Sequence, residues 1–263
     1  MPKVHIVQQA EFPAQQEYAA LGCQATGVVT SKMATPTEYP LWLCLSTLQA
    51  GAEISWLGDH EDQAVFVISG KLEAAGRECP AGGAIIVEND VAATVRAVEE
   101  SYVAHFGDRD NRRVPGKQGK GIHVNGPRGI YSTHNPEGAA AYFFGDSKCP
   151  NCDISMFYSN YLPPSGRHSH SQDEIIYLVE GSISMGQRPA APGTSLCIPG
   201  DIRYILQPGA APFAYLNYRP TDSTGIRYDE HGQVRPSNGR SDARSQGQVR
   251  ENDSVFVEMA AAR

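Results

Sequence analysis

The stretch Ile176-Tyr177-Leu178-Val179-Glu180-Gly181, with Ser195-Leu196-Cys197-Ile198-Pro199-Gly200-Asp201-Ile202 after it, decides the fold. An apolar run that stops at a glycine reads as a strand entering a turn. The same reading applies to Val65-Phe66-Val67-Ile68-Ser69-Gly70 and to Ala84-Ile85-Ile86-Val87-Glu88-Asn89-Asp90-Val91. Gly181 follows Gly70 by 111 residues, and Gly193 follows Gly82, and Asp201 follows Asp90, at the same interval. Three coincident offsets without a gap indicate a duplicated all-β unit, each copy about 100 residues long. Alternation at Ile183, Met185 and Gln187, and along Val95-Arg96-Ala97-Val98, supports strands.

Composition agrees. The 263 residues include 26 glycines and 18 prolines, which penalise helix interiors and favour short strands joined by turns. The best candidate for a single short helix is 11–21. A net charge of −7 argues against sequence-independent nucleic-acid binding, which needs positive charge facing phosphates. No stretch approaches the ~20 apolar residues of a membrane span, so no membrane partner is expected. The N-terminal residues lack the apolar block of a secretion signal, so the expected location is cytoplasmic. There the six cysteines (Cys23, Cys44, Cys79, Cys149, Cys152 and Cys197) are expected as reduced thiols.

The strongest chemistry lies in Gly166-Arg167-His168-Ser169-His170-Ser171-Gln172-Asp173-Glu174. Alternate side chains of a strand share a face, so His168 and His170 point the same way. A short turn can fold Glu174 back beside them. Two imidazoles and a carboxylate leave coordination positions open, a set that suits Fe(II) and also accommodates Mn, Ni or Zn.

These residues carry a family resemblance. His168, His170, Glu174 and Gly181 match the first cupin motif: H-x-H, three or four residues, E, six residues, G. Gly193, Pro199 and Gly200 resemble the start of the second motif. Together with the 111-residue repeat, residues from about 40 to 220 resemble a bicupin. The resemblance implies two tandem jelly-roll β-barrel domains. The expected division is 1–107, a degenerate metal-free cupin; 108–149, a linker with strand pieces; 150–230, the metal-binding cupin; and 231–263, a polar tail. Val255-Phe256-Val257 is expected to return as an edge strand.

Two departures matter. Where the second motif supplies a third histidine, this chain has Pro199-Gly200-Asp201-Ile202-Arg203-Tyr204. Tyr204 or a linker histidine (His123 or His134) could complete a metal shell. Arg203, pointing inward, could hold a substrate carboxylate, or it could sit on the strand's rim. In the first copy the positions of His168, His170 and Glu174 hold Leu57, Asp59 and Gln63, so no metal is expected there.

Weaker signals remain. Tyr158, Tyr161 and Tyr177 lie near the ligand strands and would line a substrate pocket if alternation aims them inward. Cys149-Pro150-Asn151-Cys152 lacks the second cysteine pair of a structural zinc site, and reads as a tight turn with two incidental thiols, or else a labile disulfide or partial metal site. The expectation is a metal-dependent bicupin enzyme, a homodimer acting on a small organic substrate with one divalent ion per chain. A non-haem iron dioxygenase with Arg203 and Tyr204 at the reacting centre leads. A Lewis-acid isomerase, lyase or hydrolase using Zn, Mn or Ni, and a non-catalytic ligand-binding cupin, are the alternatives.

Overall fold

The computed structural model describes residues 3–13, 17–109, 117–134, 140–146, 149–160, 167–209, 212–220, 226–228, 234–235, 249–251 and 253–259. Among these the chain is all-β, and every strand pairing is antiparallel. In place of a helix over 11–21 stand two short 3-10 turns, Gln9–Glu11 and Tyr18–Leu21. Pro13 is the reason: it lacks an amide donor and drives the preceding residue extended, and Phe12 has φ −64° and ψ 127°.

In the first lobe a seven-stranded sheet runs Ser254–Glu258, Gly121–Asn125, Ala84–Val87, Gln63–Ser69, Ser101–Asp108, Leu41–Leu48, Val29–Met33. A five-stranded sheet completes it, in the order Gln24–Thr26, Glu53–Trp56, Ala93–Ala97, Lys71–Ala74, Arg77–Pro80. Val65, Val67, Ile85, Val87, Ile54 and Val95 belong to one buried cluster between them. The second lobe has an eight-stranded sheet: His5–Val7, Ser195–Ile198, Glu174–Glu180, Ala214–Arg219, Ser155–Ser159, Ala140–Gly145, Tyr131–His134, Val249–Glu251. Its own buried cluster, with Ile176, Leu178, Leu196 and Ile198, also takes in Ile183, Ala190 and Leu206 from a sheet of Arg188–Ala190, Ile183–Met185 and Leu206–Pro208.

The repeat holds in conformational detail. Strand Gln63–Ser69 maps onto Glu174–Glu180 and Ala84–Val87 onto Ser195–Ile198, both at 111 residues. Asp90 and Asp201 adopt φ 59° and 60°. Gly181 has φ 74°, and a Cβ there would collide with the Pro212 carbonyl and Phe213, so both conformation and space demand glycine.

The leading strands are exchanged between lobes. His5–Val7 pairs with Ser195–Ile198, placing His5 opposite Cys197, whereas Gly121–Asn125 pairs with Ala84–Val87, placing His123 opposite Ile86. The expected strand over Val255–Val257 lies outside Gly121–Asn125, with Phe256 opposite His123.

A third buried cluster joins the lobes. Phe66, Ile86 and Phe106 come from the first, and Phe144, Met156, Ile175, Tyr177 and Tyr218 from the second. Phe66 lies 5.6 Å from Phe144 and 5.8 Å from Tyr158, and Phe106 stacks on Tyr218 at 5.1 Å. Strands buried on both faces read as continuous apolar runs, which is why 65–68 shows no polar alternation. This corrects the expected pocket. Tyr177 faces the other lobe because strand side chains alternate, opposite to Glu174, Ile176 and Leu178, and Tyr158 likewise packs between lobes. Tyr161 lies outside the described residues.

Candidate active site in the second lobe

Glu174 opens its strand on the face that Ile176 and Leu178 present to the lobe interior. His168 stands in the two-residue strand His168–Ser169 and exchanges two backbone hydrogen bonds with Tyr204: His168 N donates to Tyr204 O at 3.0 Å, and Tyr204 N to His168 O at 2.9 Å. Asp201 N donates to His170 O at 2.6 Å. These bonds bring the imidazoles and the phenol together. The His168 and His170 ring centroids lie 5.3 Å apart, and His168 and Tyr204 4.5 Å. All are buried, with Glu174 only 1 % exposed.

The carboxylate is fully occupied. Arg219 donates to Glu174 Oε2 through Nε at 3.1 Å and Nη2 at 2.9 Å, Asn217 Nδ2 donates to the same oxygen at 2.9 Å, and the Tyr204 hydroxyl donates to Oε1. Burial pushes the Glu174 carboxyl up, but the Arg219 guanidinium and these hydrogen bonds outweigh it and hold the group ionised, below the usual carboxylate range. Burial pushes the His170 imidazole down, so it is neutral, and its Nε2 accepts from Arg219 Nη2 at 3.1 Å. Its Nδ1 is buried without a hydrogen-bond partner. Burial, followed by the Glu174 charge, raises the Tyr204 phenol well above its ordinary value, so it stays protonated.

The donor set suits a divalent ion in kind, with imidazole nitrogens, a carboxylate and one imidazole whose buried Nδ1 is unpartnered. Arg219 Nη2, however, lies between His170 Nε2 and Glu174 Oε2, where an ion bridging them would sit. A guanidinium and a dication in one buried place repel by several kcal/mol even at an effective dielectric of about 20. The three donors therefore fit an ion when Arg219 swings out, and do not while it stays.

Arg203 is exposed, correcting its expected inward direction. Tyr204, next along the chain, points in, so alternation turns Arg203 out. The inward arginine comes from the neighbouring strand, and the sequence reading missed it together with Asn217. Their only signal was the buried polar alternation Asn217, Arg219 in an otherwise apolar strand.

The corresponding place in the first lobe is built differently. Gln63, in the position of Glu174, accepts through Oε1 from Trp56 Nε1 and from His105 Nε2, both at 2.8 Å, and donates to Leu21 O at 2.7 Å. Burial pushes His105 down to about 3. The unfolded chain therefore binds a proton below about pH 6.5 that the folded chain refuses, and stability must fall as pH drops from 6.5 toward 3. Between pH 6.5 and 5 this one group accounts for about 2 kcal/mol. Denaturant titrations of His105→Phe should show a correspondingly flatter pH profile. An unchanged slope would refute the assignment.

A second polar group appears where the leading strand of the second copy meets the first lobe. Glu88, His123, Cys149 and Cys152 place their ligand-type atoms within 4.8 Å of one another, the one such group among the described residues. The cysteines are joined as a disulfide, which corrects the expectation of six reduced thiols and of an incidental turn; Cys23, Cys44, Cys79 and Cys197 are buried free thiols. His134 belongs to strand Tyr131–His134 in the eight-stranded sheet, and His123 to the group just described.

No family model matches this chain, and no curated protein is similar to it in sequence. Solved structures share its fold. Protein Ylba of E. coli is 16% identical, with a TM-score of 0.57 over 82% of this chain and 90% of that one. The putative glyoxylate induced protein of Pseudomonas aeruginosa is 13% identical, with a TM-score of 0.59 over 83% and 89%. An oxalate decarboxylase of B. subtilis is 14% identical, with a TM-score of 0.57 over 82% and 77%. The fold is cupin-type. At such identities the likeness concerns the cupin fold alone. No helix among the described residues is long and apolar enough to cross a membrane.

Proposed function

We propose that this chain is a metal-dependent bicupin enzyme acting on a small organic substrate in the second lobe, with His168, His170 and Glu174 as the metal ligands. Its leading form is a non-haem iron dioxygenase. The observation that carries the reading is the convergence of two buried imidazoles on a buried carboxylate, one imidazole neutral with an unpartnered Nδ1. Buried polar groups left unsatisfied are costly and concentrate at functional sites.

A divalent ion held there would supply Lewis acidity and, as Fe(II), reactivity toward dioxygen. The chain's own residues supply the rest. Asn217 and Tyr204 keep Glu174 oriented through their hydrogen bonds while Arg219 moves aside. Tyr204 keeps its phenolic proton on the hydroxyl oxygen beside the ligands and can donate it there. Ile176, Leu196, Ile198 and Phe213 wall the interior and exclude water.

Oxygen uptake by anaerobically prepared, iron-loaded protein against catechols, diketones and hydroxy acids tests the reading. One substrate class should consume oxygen, and His168→Ala should reduce its turnover to background. Turnover without oxygen uptake, using Zn, Mn or Ni, would replace the dioxygenase with a Lewis-acid isomerase, lyase or hydrolase. No turnover with any of the four metals, alongside a ligand-dependent rise in melting temperature, would leave a binding protein and sink the enzyme reading.

A further inference from the structure

We infer that Glu88, His123, Cys149 and Cys152 form a second metal site, a tetrahedral zinc clasp that fastens the leading strand of the second copy to the first lobe when the two cysteines are reduced. The four ligands come from three separate pieces of chain. Glu88 follows strand Ala84–Val87, His123 sits at the centre of Gly121–Asn125, and the cysteines lie in the loop before Ser155–Ser159. His123 pairs with Ile86, so it shares a sheet face with Ile86 and Glu88.

The edges of the cluster are those of a zinc tetrahedron. Cys149 Sγ lies 3.7 Å from His123 Nε2 and 3.6 Å from Glu88 Oε1, and Cys152 Sγ 4.0 Å from His123 Nε2. Zinc bonds to sulfur, nitrogen and oxygen of ordinary length imply edges of about 3.5 Å. Glu88 Oε1 and His123 Nε2, at 2.8 Å, share a hydrogen bond that the ion would replace.

The surroundings are built as an outer shell. Glu88 Oε2 accepts from Lys120 N at 2.6 Å and Gly121 N at 3.0 Å, which leaves Oε1 aimed at the cluster. Cys152 N donates to Cys149 Sγ at 3.1 Å, a bond that supports a thiolate. Lys117 Nζ holds the loop through Cys152 O at 2.8 Å. A cavity of about 180 Å³, lined in part by His123, Cys149 and Cys152, gives an ion a way in.

In the structure the two sulfurs are bonded to each other, and that state cannot bind the ion. Reduction by a dithiol breaks the Cys149–Cys152 bond. The donor gives two electrons and two protons and becomes its own disulfide, and the chain gains two thiols. Zinc then displaces the two thiol protons as it forms two zinc–sulfur bonds. Oxidation by a low-molecular-weight disulfide runs the same exchange in reverse and releases the ion.

The test uses the full chain, reduced with a phosphine, freed of metal and titrated with Co(II) as a spectroscopic stand-in for zinc. One equivalent should produce the thiolate-to-cobalt charge-transfer band and the intense visible bands of a tetrahedral ion. His123→Ala should weaken that binding at least ~10-fold. Cys149→Ser/Cys152→Ser should abolish the charge-transfer band, while His168→Ala/His170→Ala leaves it intact. The band requires sulfur, so it reports this site whether or not the ligands in the second lobe hold an ion. A folded, reduced wild-type chain that gives no charge-transfer band would overturn the inference, as would a band that survives loss of both cysteines. If the double serine variant misfolds, zinc should still slow alkylation of two thiols in the wild-type chain at least ~10-fold, and an unchanged rate would overturn the inference equally.

Discussion

Glu174→Leu is expected to lower the stability of the metal-free chain by about 3–5 kcal/mol, measured by denaturant titration. The side chain is 1 % exposed and receives hydrogen bonds from Arg219, Asn217 and Tyr204. Removing it leaves the Arg219 guanidinium buried and unpaired, and that uncompensated charge dominates the loss. Arg219→Met leaves the opposite charge stranded and should cost a similar amount. The double variant, with neither charge, should recover most of it, because two charges taken out of water gain little over apolar side chains of like volume. Divalent metal separates the two single variants. In Arg219→Met the place between His170 and Glu174 is vacant of positive charge, so millimolar Mn(II) or Fe(II) should raise the melting temperature. In Glu174→Leu it should not. An Arg219→Met chain indifferent to divalent metals would remove the basis for a metal site in the second lobe.

Phe66→Ala should cost about 3–5 kcal/mol, the range for emptying the space of a large buried aromatic ring. The ring is 2 % exposed and lies against Phe144 and Tyr158. Its effect should spread over both lobes. Phe66 belongs to the first lobe by sequence, yet its packing partners come from the second, and the exchanged strand His5–Val7 ties the lobes again from the other side. Calorimetry of the wild-type chain should therefore show one cooperative transition, with equal calorimetric and van't Hoff enthalpies, that moves down as a whole in Phe66→Ala. Two resolved transitions, of which the substitution shifts only one, would show that the shared core does not couple the lobes.

Much of the architecture was legible because its signals are local. Strand alternation, the glycines at turns and the paired aspartates Asp90 and Asp201 act within a few residues, so a 111-residue echo reports the duplication directly. The edge strand Ser254–Glu258 could be read for the same reason. The helix over 11–21 misled because its apolar spacing outweighed Pro13 in the reading, whereas the backbone obeys the proline. Tyr158 and Tyr177 misled for another reason. A strand buried on both faces carries no polar mark to say which face looks inward, so the period was right and its phase was free.

By itself, then, the sequence determined an all-β duplicated chain and the closeness of His168, His170 and Glu174, which one turn and one strand period suffice to arrange. Only the tertiary structure decided what surrounds them. Arg219 and Asn217 reach Glu174 from a strand more than 40 residues on, and no pattern along the chain specifies which neighbour a strand takes. The Glu88–His123–Cys149–Cys152 group has the same origin. Its members are joined by the exchange of leading strands between lobes, a long-range pairing set by the burial of two apolar faces at once rather than by any local preference.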